Sequence, residues 1–172
     1  MNANTQTSGG VRQPTDFFRR LLLATVLAGT LDITYACVVS YLRGRMPLTV
    51  LQSVASGWLG AAAYAGGVGT ALLGLATHYG IMSVMAATFG LAAARIARLR
   101  QRPWSSGLLY GAGLYAVMYG IVLPLRFPAI FPRLNGWITV SDILVHMGVG
   151  LIIARVFRTA PGEQSQPAPS PG

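Results

Sequence analysis

The sequence is poor in acidic residues and in cysteine, and it contains no lysine. Only four of its 172 residues are Asp or Glu, and all thirteen basic residues are Arg. The single cysteine, Cys37, excludes an intramolecular disulfide framework and any zinc site built from several cysteines. Charged residues make up 10% of the chain and hydrophobic residues 53%, which lies outside the range of ordinary soluble domains. The apolar excess therefore has to face something other than water.

The positive charge is not spread as it is in a nucleic-acid-binding domain. The formal net charge is +9 and the sequence pI is about 10.9, but the arginines cluster at the ends of apolar runs. Such clusters are typical of membrane topology signals. The pattern thus predicts the lipid bilayer as the partner and argues against nucleic acid.

Four apolar windows are long enough to cross a bilayer, whose hydrocarbon core requires roughly 20 residues of helix. They predict an all-α, polytopic membrane helical bundle within residues 16–158, with spans at about 17–41, 68–94, 105–123 and 137–156. Pro124 is expected to end the third span, because proline interrupts a helix. The polar segment 1–15 and the Pro-rich segment 159–172 cannot bury enough apolar surface to fold and are predicted to be disordered.

A shorter apolar stretch at about 46–59 lies between the first two windows. It is too short to span, and Pro47 suits a first helical position. Leu51, Val54, Ala55 and Trp58 recur at helical spacing, opposite Gln52, Ser53 and Ser56. This pattern predicts a short amphipathic helix in the membrane interface, with a packed loop as the alternative.

The orientation of the bundle follows from the arginines near the span ends. Nine arginines fall on one side and four on the other, and the richer side is normally cytoplasmic. The sequence therefore predicts a multi-pass protein of the bacterial inner membrane with both termini in the cytoplasm. The nine are Arg12, Arg19, Arg20, Arg95, Arg98, Arg100, Arg102, Arg155 and Arg158.

Ionisable side chains inside the predicted spans are the candidate site. Such groups are costly in lipid and need a partner or an aqueous cavity. A rise of about 1.5 Å per residue puts one polar residue of each span near the midplane, each on a stripe that also carries small residues. The predicted intramembrane cluster consists of Asp32, His78, Tyr115, Asp142 and His146.

The cluster admits several functions. It could relay protons or line a path for a small solute, as in a transport component, or it could only hold the helices together, as in a structural or accessory subunit. Ligation of a b-type haem by His78 and His146 is a weaker alternative, and a metal site at Asp32, His78 and His146 is weaker still. No motif of a soluble enzyme is present, so we expect no catalytic residues, no metal and no cofactor. A homo-oligomer and a complex with other membrane subunits both stay open.

Four short motifs of mostly small and apolar residues occur along the chain: Gly29-Thr30-Leu31-Asp32-Ile33, Ala55-Ser56-Gly57-Trp58-Leu59-Gly60, Gly66-Gly67 and Gly74-Leu75-Ala76-Thr77-His78. Together they resemble the uncharacterised bacterial inner-membrane proteins of the YagU-like type, over roughly residues 17–157. This resemblance implies a multi-span inner-membrane protein and brings no established activity.

Overall fold

The computed structural model describes residues 14–132, 134 and 136–158, and this part of the chain is helical without any strand. The predicted all-α class is therefore confirmed. The predicted disordered ends lie outside the described residues, apart from Pro14 and Thr15, which already belong to the first helix.

Within the described part of the chain, four helical spans are long and apolar enough to cross a membrane, so the protein is a multi-pass membrane protein. Helix α1 is Pro14–Leu42, α2 is Pro47–Leu59, and a 3-10 helix at Gly60–Ala65 leads into α3, Gly67–Arg95. Helix α4, Ala97–Gln101, joins α3 to α5, Pro103–Val117. Helix α5 continues through a π-helical turn, Met118–Val122, into α6, Leu123–Arg126, and α7 is Trp137–Val156.

Helix α1 occupies the middle of the bundle. It packs against α3 on one side and α7 on the other, while α2 lies against α3 and α5 lies against α7. The start of α1 lies beside the end of α7, where Arg20 Nη1 donates to the carbonyl oxygen of Arg158 at 2.9 Å. Arg155 at the end of α7 in turn covers the Trp104 ring at the start of α5. We call this end of the bundle the Arg-rich end.

Glycines allow α5 and α7 to pack backbone against backbone. A Cβ atom on Gly111 would collide with the carbonyl oxygen of His146 and the Cα of Met147. Gly150 of α7 faces Gly107 and Gly111 in the same way. Small residues are the usual means of close helix approach in membranes. The stripe predicted on α5 therefore faces the stripe predicted on α7.

Helix α2 forms where the sequence predicts a short helix, but its polar face is not turned to water. Gln52 and Ser56 are buried, whereas Trp58 is largely exposed. Gly74 of α3 lets the α2 backbone approach so closely that a Cβ there would collide with the carbonyl oxygen of Leu51. The predicted short helix is therefore present, and its polar residues Gln52 and Ser56 face protein. They are satisfied by protein groups, such as the Gly67 carbonyl that accepts from Gln52 at 3.1 Å.

The third span continues past Pro124, contrary to the expectation that it ends there. The amide of Leu123 donates to the carbonyl of Met118, five residues back. Proline has no amide hydrogen, and its ring clashes with the carbonyl four residues back in a regular α-helix. The wider π turn before Pro124 accommodates this clash, and the span reaches Arg126.

The apolar core lies toward the Arg-rich end. Ala24, Ala28, Phe89, Ile153 and Phe157 are among its buried members. On each helix, the polar residues of the candidate site lie farther from that end than the core residues do. The apolar core thus packs the helices together near the Arg-rich end, and the polar groups lie in the opposite half of the bundle.

Candidate functional site

Helices α1 and α3 bring Asp32 and His78 together. His78 Nδ1 lies 3.9 Å from Asp32 Oδ2, with 9% of the His78 side chain and 24% of the Asp32 side chain exposed. His78 Nε2 donates to the carbonyl oxygen of Gly29 at 3.0 Å, one turn before Asp32. The imidazole is therefore held between a backbone carbonyl and a carboxylate, both supplied by α1.

A second contact joins α1 to α7, one turn further along α1. The Tyr35 hydroxyl donates to Asp142 Oδ1 at 2.7 Å and lies 2.6 Å from Ser141 Oγ. Tyr35 follows Asp32 by three residues, so the two side chains share one face of α1. Asp142 thus faces α1 and a tyrosine hydroxyl.

The third part of the site lies between α5 and α7. The rings of Tyr115 and Tyr119 stack with their centroids 4.6 Å apart. The His146 ring meets both edge-on, at 5.7 Å from Tyr115 and 5.6 Å from Tyr119. His146 Nδ1 donates to the Asp142 carbonyl oxygen, 2.8 Å away.

Two tyrosines lie between these groups. The Tyr35 hydroxyl donates to Asp142 from the same face of α1 that carries Asp32, and the Tyr119 ring lies against the rings of Tyr115 and His146. The groups from α1, α3, α7 and the π turn after α5 therefore form one polar assembly. We call it the polar cluster: Asp32, Tyr35, His78, Tyr115, Tyr119, Ser141, Asp142 and His146.

Each of the five residues selected from the sequence contacts at least one other of them, but the five do not all contact each other. Asp32 lies beside His78, while Tyr115 and His146 form a separate pair of rings. Sequence reasoning did not select Tyr35 and Tyr119 for the site. The spacing of Tyr35 from Asp32 could have indicated its role. Ser141 adjoins Asp142 and carried no separate signal.

The geometry of the histidines bears on the haem and metal alternatives. To ligate an iron through Nε2, His78 would have to give up its hydrogen bond to Gly29. His146 uses Nδ1 for the Asp142 carbonyl, an arrangement that would leave Nε2 as its ligand atom. Within residues 14–132, 134 and 136–158, no three His, Cys, Asp or Glu residues are arranged to hold a metal ion.

The π turn after α5 carries one of the tyrosines of the cluster. Single π turns within α-helices occur often at functional sites. Here the turn includes Tyr119, whose ring stacks on Tyr115 and meets the His146 ring edge-on. The polar cluster therefore combines carboxylates, imidazoles and hydroxyls, all of which can accept and donate protons.

Comparison of the chain with protein-family models, with curated proteins and with solved structures finds no match. The resemblance to the YagU-like proteins accordingly stays a prediction, and the function has to be argued from the polar cluster.

Proposed function

We propose that the protein is a proton-linked transport component of the membrane, in which the polar cluster carries protons across the middle of the bundle. The proposal is supported by one observation above all. Asp32 is held within a membrane span beside His78, but at 3.9 Å the contact is longer than a hydrogen bond. An intramembrane carboxylate is costly, and its place beside an imidazole, which can take up and release a proton, suits a proton relay.

The arrangement of the cluster suits proton transfer. Asp32 and His78 lie on one side, Asp142 and His146 lie on the other, and the hydroxyl of Tyr35, three residues after Asp32 on α1, donates to Asp142. Hydroxyls can pass a proton between such groups because each both donates and accepts. Proton relays in membrane pumps and transporters use Asp, Glu and His in this way.

Proton flux tests this proposal directly. Reconstituted into liposomes that contain a pH-sensitive dye, with valinomycin and potassium present, the protein should dissipate an imposed pH gradient faster than empty liposomes do. Asp32→Asn should lower the added flux by about tenfold or more, because it removes the titrating group of the relay. The matched control is Asp16→Asn, which makes the same change at the Arg-rich end and should keep the flux. Equal flux from Asp32→Asn and the parent would refute the relay.

A structural or accessory role is the second candidate, and a specific observation favours it. The short contacts of the cluster each join two helices: His78 with the Gly29 carbonyl, and Tyr35 with Asp142. If the role of the cluster is only structural, the protein adds no proton flux to the liposomes. Asp32→Leu would then lower the melting temperature in detergent, whereas Asp32→Asn would retain it. We propose no enzymatic activity for either candidate.

The orientation of the bundle is part of the proposal. We place both termini in the cytoplasm of a bacterial cell and the chain in the inner membrane, because nine of the thirteen arginines fall on the side of the termini. Reporter fusions after residues 45, 100, 130 and 160 should read outside, inside, outside and inside. A cytoplasmic signal from the fusion at residue 130 would overturn this topology.

A further inference from the structure

A cleft opens at the Arg-rich end, where α1 begins and α7 ends. Its volume is about 360 Å³. The cleft lies at the end of two membrane spans, where the headgroup region of a bilayer is expected. It is lined by Asp16, Arg19, Arg20, Leu23, Arg155, Val156 and Arg158.

Two of the arginines are fixed by contacts with the protein. Arg20 Nη1 donates to the carbonyl oxygens of Arg158 at 2.9 Å and Val156 at 3.4 Å, and so ties α1 to the end of α7. The Arg155 guanidinium lies 3.9 Å from the centre of the Trp104 ring. These contacts hold two guanidinium groups at the cleft before any ligand binds.

The charge of the cleft favours an anion. Four arginines and one aspartate leave a net charge of +3 among the lining residues. Guanidinium groups bind phosphate oxygens with paired hydrogen bonds, which makes arginine well suited to phosphate recognition. Leu23 adds an apolar wall, and about half of its surface is exposed on the lipid-facing side of α1. A ligand with a phosphate and an attached hydrocarbon chain matches both the arginines and the apolar side chain of the cleft.

We propose that the cleft binds the phosphate headgroup of an anionic phospholipid, with an acyl chain passing along Leu23. Basic pockets between membrane helices are known to hold such headgroups. The proposal does not depend on the function of the polar cluster, which lies further into the bundle.

Native mass spectrometry of the full-length protein in detergent tests the proposal. Phosphatidylglycerol should bind at least about tenfold more tightly than phosphatidylcholine, because only the former carries a net negative charge. The double variant Arg19→Gln with Arg158→Gln should lose this preference. Arg20 and Arg155 are left unchanged because they also make the structural contacts described above, and their substitution would disturb folding. The variant therefore changes Arg19 and Arg158.

A same-face control separates a site from general attraction to a basic surface. The double variant Arg98→Gln with Arg102→Gln removes the same charge from the same end of the bundle, but neither residue lines the cleft. It should keep the phosphatidylglycerol preference. Equal losses in both double variants would overturn the proposal. Glycerol phosphate, added as a soluble competitor, should displace the lipid only weakly. Full displacement would identify a free phosphate compound as the ligand and overturn the assignment to a lipid.

Discussion

Gly111→Leu is expected to separate α5 from α7 and to lower the stability of the folded protein by about 3 kcal/mol or more. Added side-chain atoms at Gly111 would meet the backbone of His146 and Met147, which cannot rotate away as a side chain can. Helix α5 packs mainly on α7, so relief of the collision would move the whole third span. Thermal unfolding in detergent, followed by intrinsic fluorescence and by the loss of the monodisperse peak in gel filtration, measures the effect.

The same helix offers a matched control. Gly113 has open space where its Cβ would lie, so Gly113→Leu places the same side chain on the outer surface of α5. This variant should unfold within a few degrees of the parent. If Gly111→Leu and Gly113→Leu unfold at the same temperature as the parent, the close packing of α5 on α7 is not what holds the third span.

Asp142→Leu is expected to destabilise the protein by about 1–3 kcal/mol, because it removes the acceptor of a half-buried tyrosine hydroxyl. Tyr35 donates to Asp142 at 2.7 Å, and Tyr119 interacts with the same carboxylate. Asp142→Asn keeps an acceptor oxygen and should retain most of the stability. Proton flux should nevertheless fall in Asp142→Asn, since the amide does not titrate. The pair of variants therefore separates the hydrogen bond from the charge.

The double variant Tyr35→Phe with Asp142→Leu provides the control for this prediction. Removal of both partners of a buried hydrogen bond can be nearly neutral, whereas removal of one leaves the other unsatisfied. The double variant should thus unfold at a higher temperature than Asp142→Leu alone. An additive loss from the two changes would indicate that Tyr35 and Asp142 contribute independently, against the contact between α1 and α7.

The sequence was sufficient to predict the spans because each needs about 20 apolar residues and little else. The fourth span has the predicted limits, residues 137–156, and the first and second begin and end within three residues of the prediction. The third runs three residues past the predicted limit. A π turn resolves the conflict at Pro124, and hydropathy carries no information on such a turn.

Contacts between helices were harder to predict than the helices themselves. Periodicity places Asp32 and His78 on stripes with small residues, but it does not fix how each helix is rotated about its axis. The pairing of Tyr35 with Asp142 depends on that rotation. Amphipathicity likewise separates Gln52 and Ser56 of α2 from its apolar side, without telling whether the polar side meets water or protein. In this chain it meets protein.

The closest backbone contacts group helices into two pairs, α5 with α7 and α2 with α3. Helices α5 and α7 are locked by glycine contacts between their backbones, while α2 is locked to α3 at Gly74, and α3 carries His78 onto α1. Helix α1 joins the two pairs, because it packs on both α3 and α7 and its Arg20 and Tyr35 both bond to the α7 side. A shift of α1 toward either pair would therefore change the contact of Asp32 with His78 and the bond of Tyr35 to Asp142 at the same time.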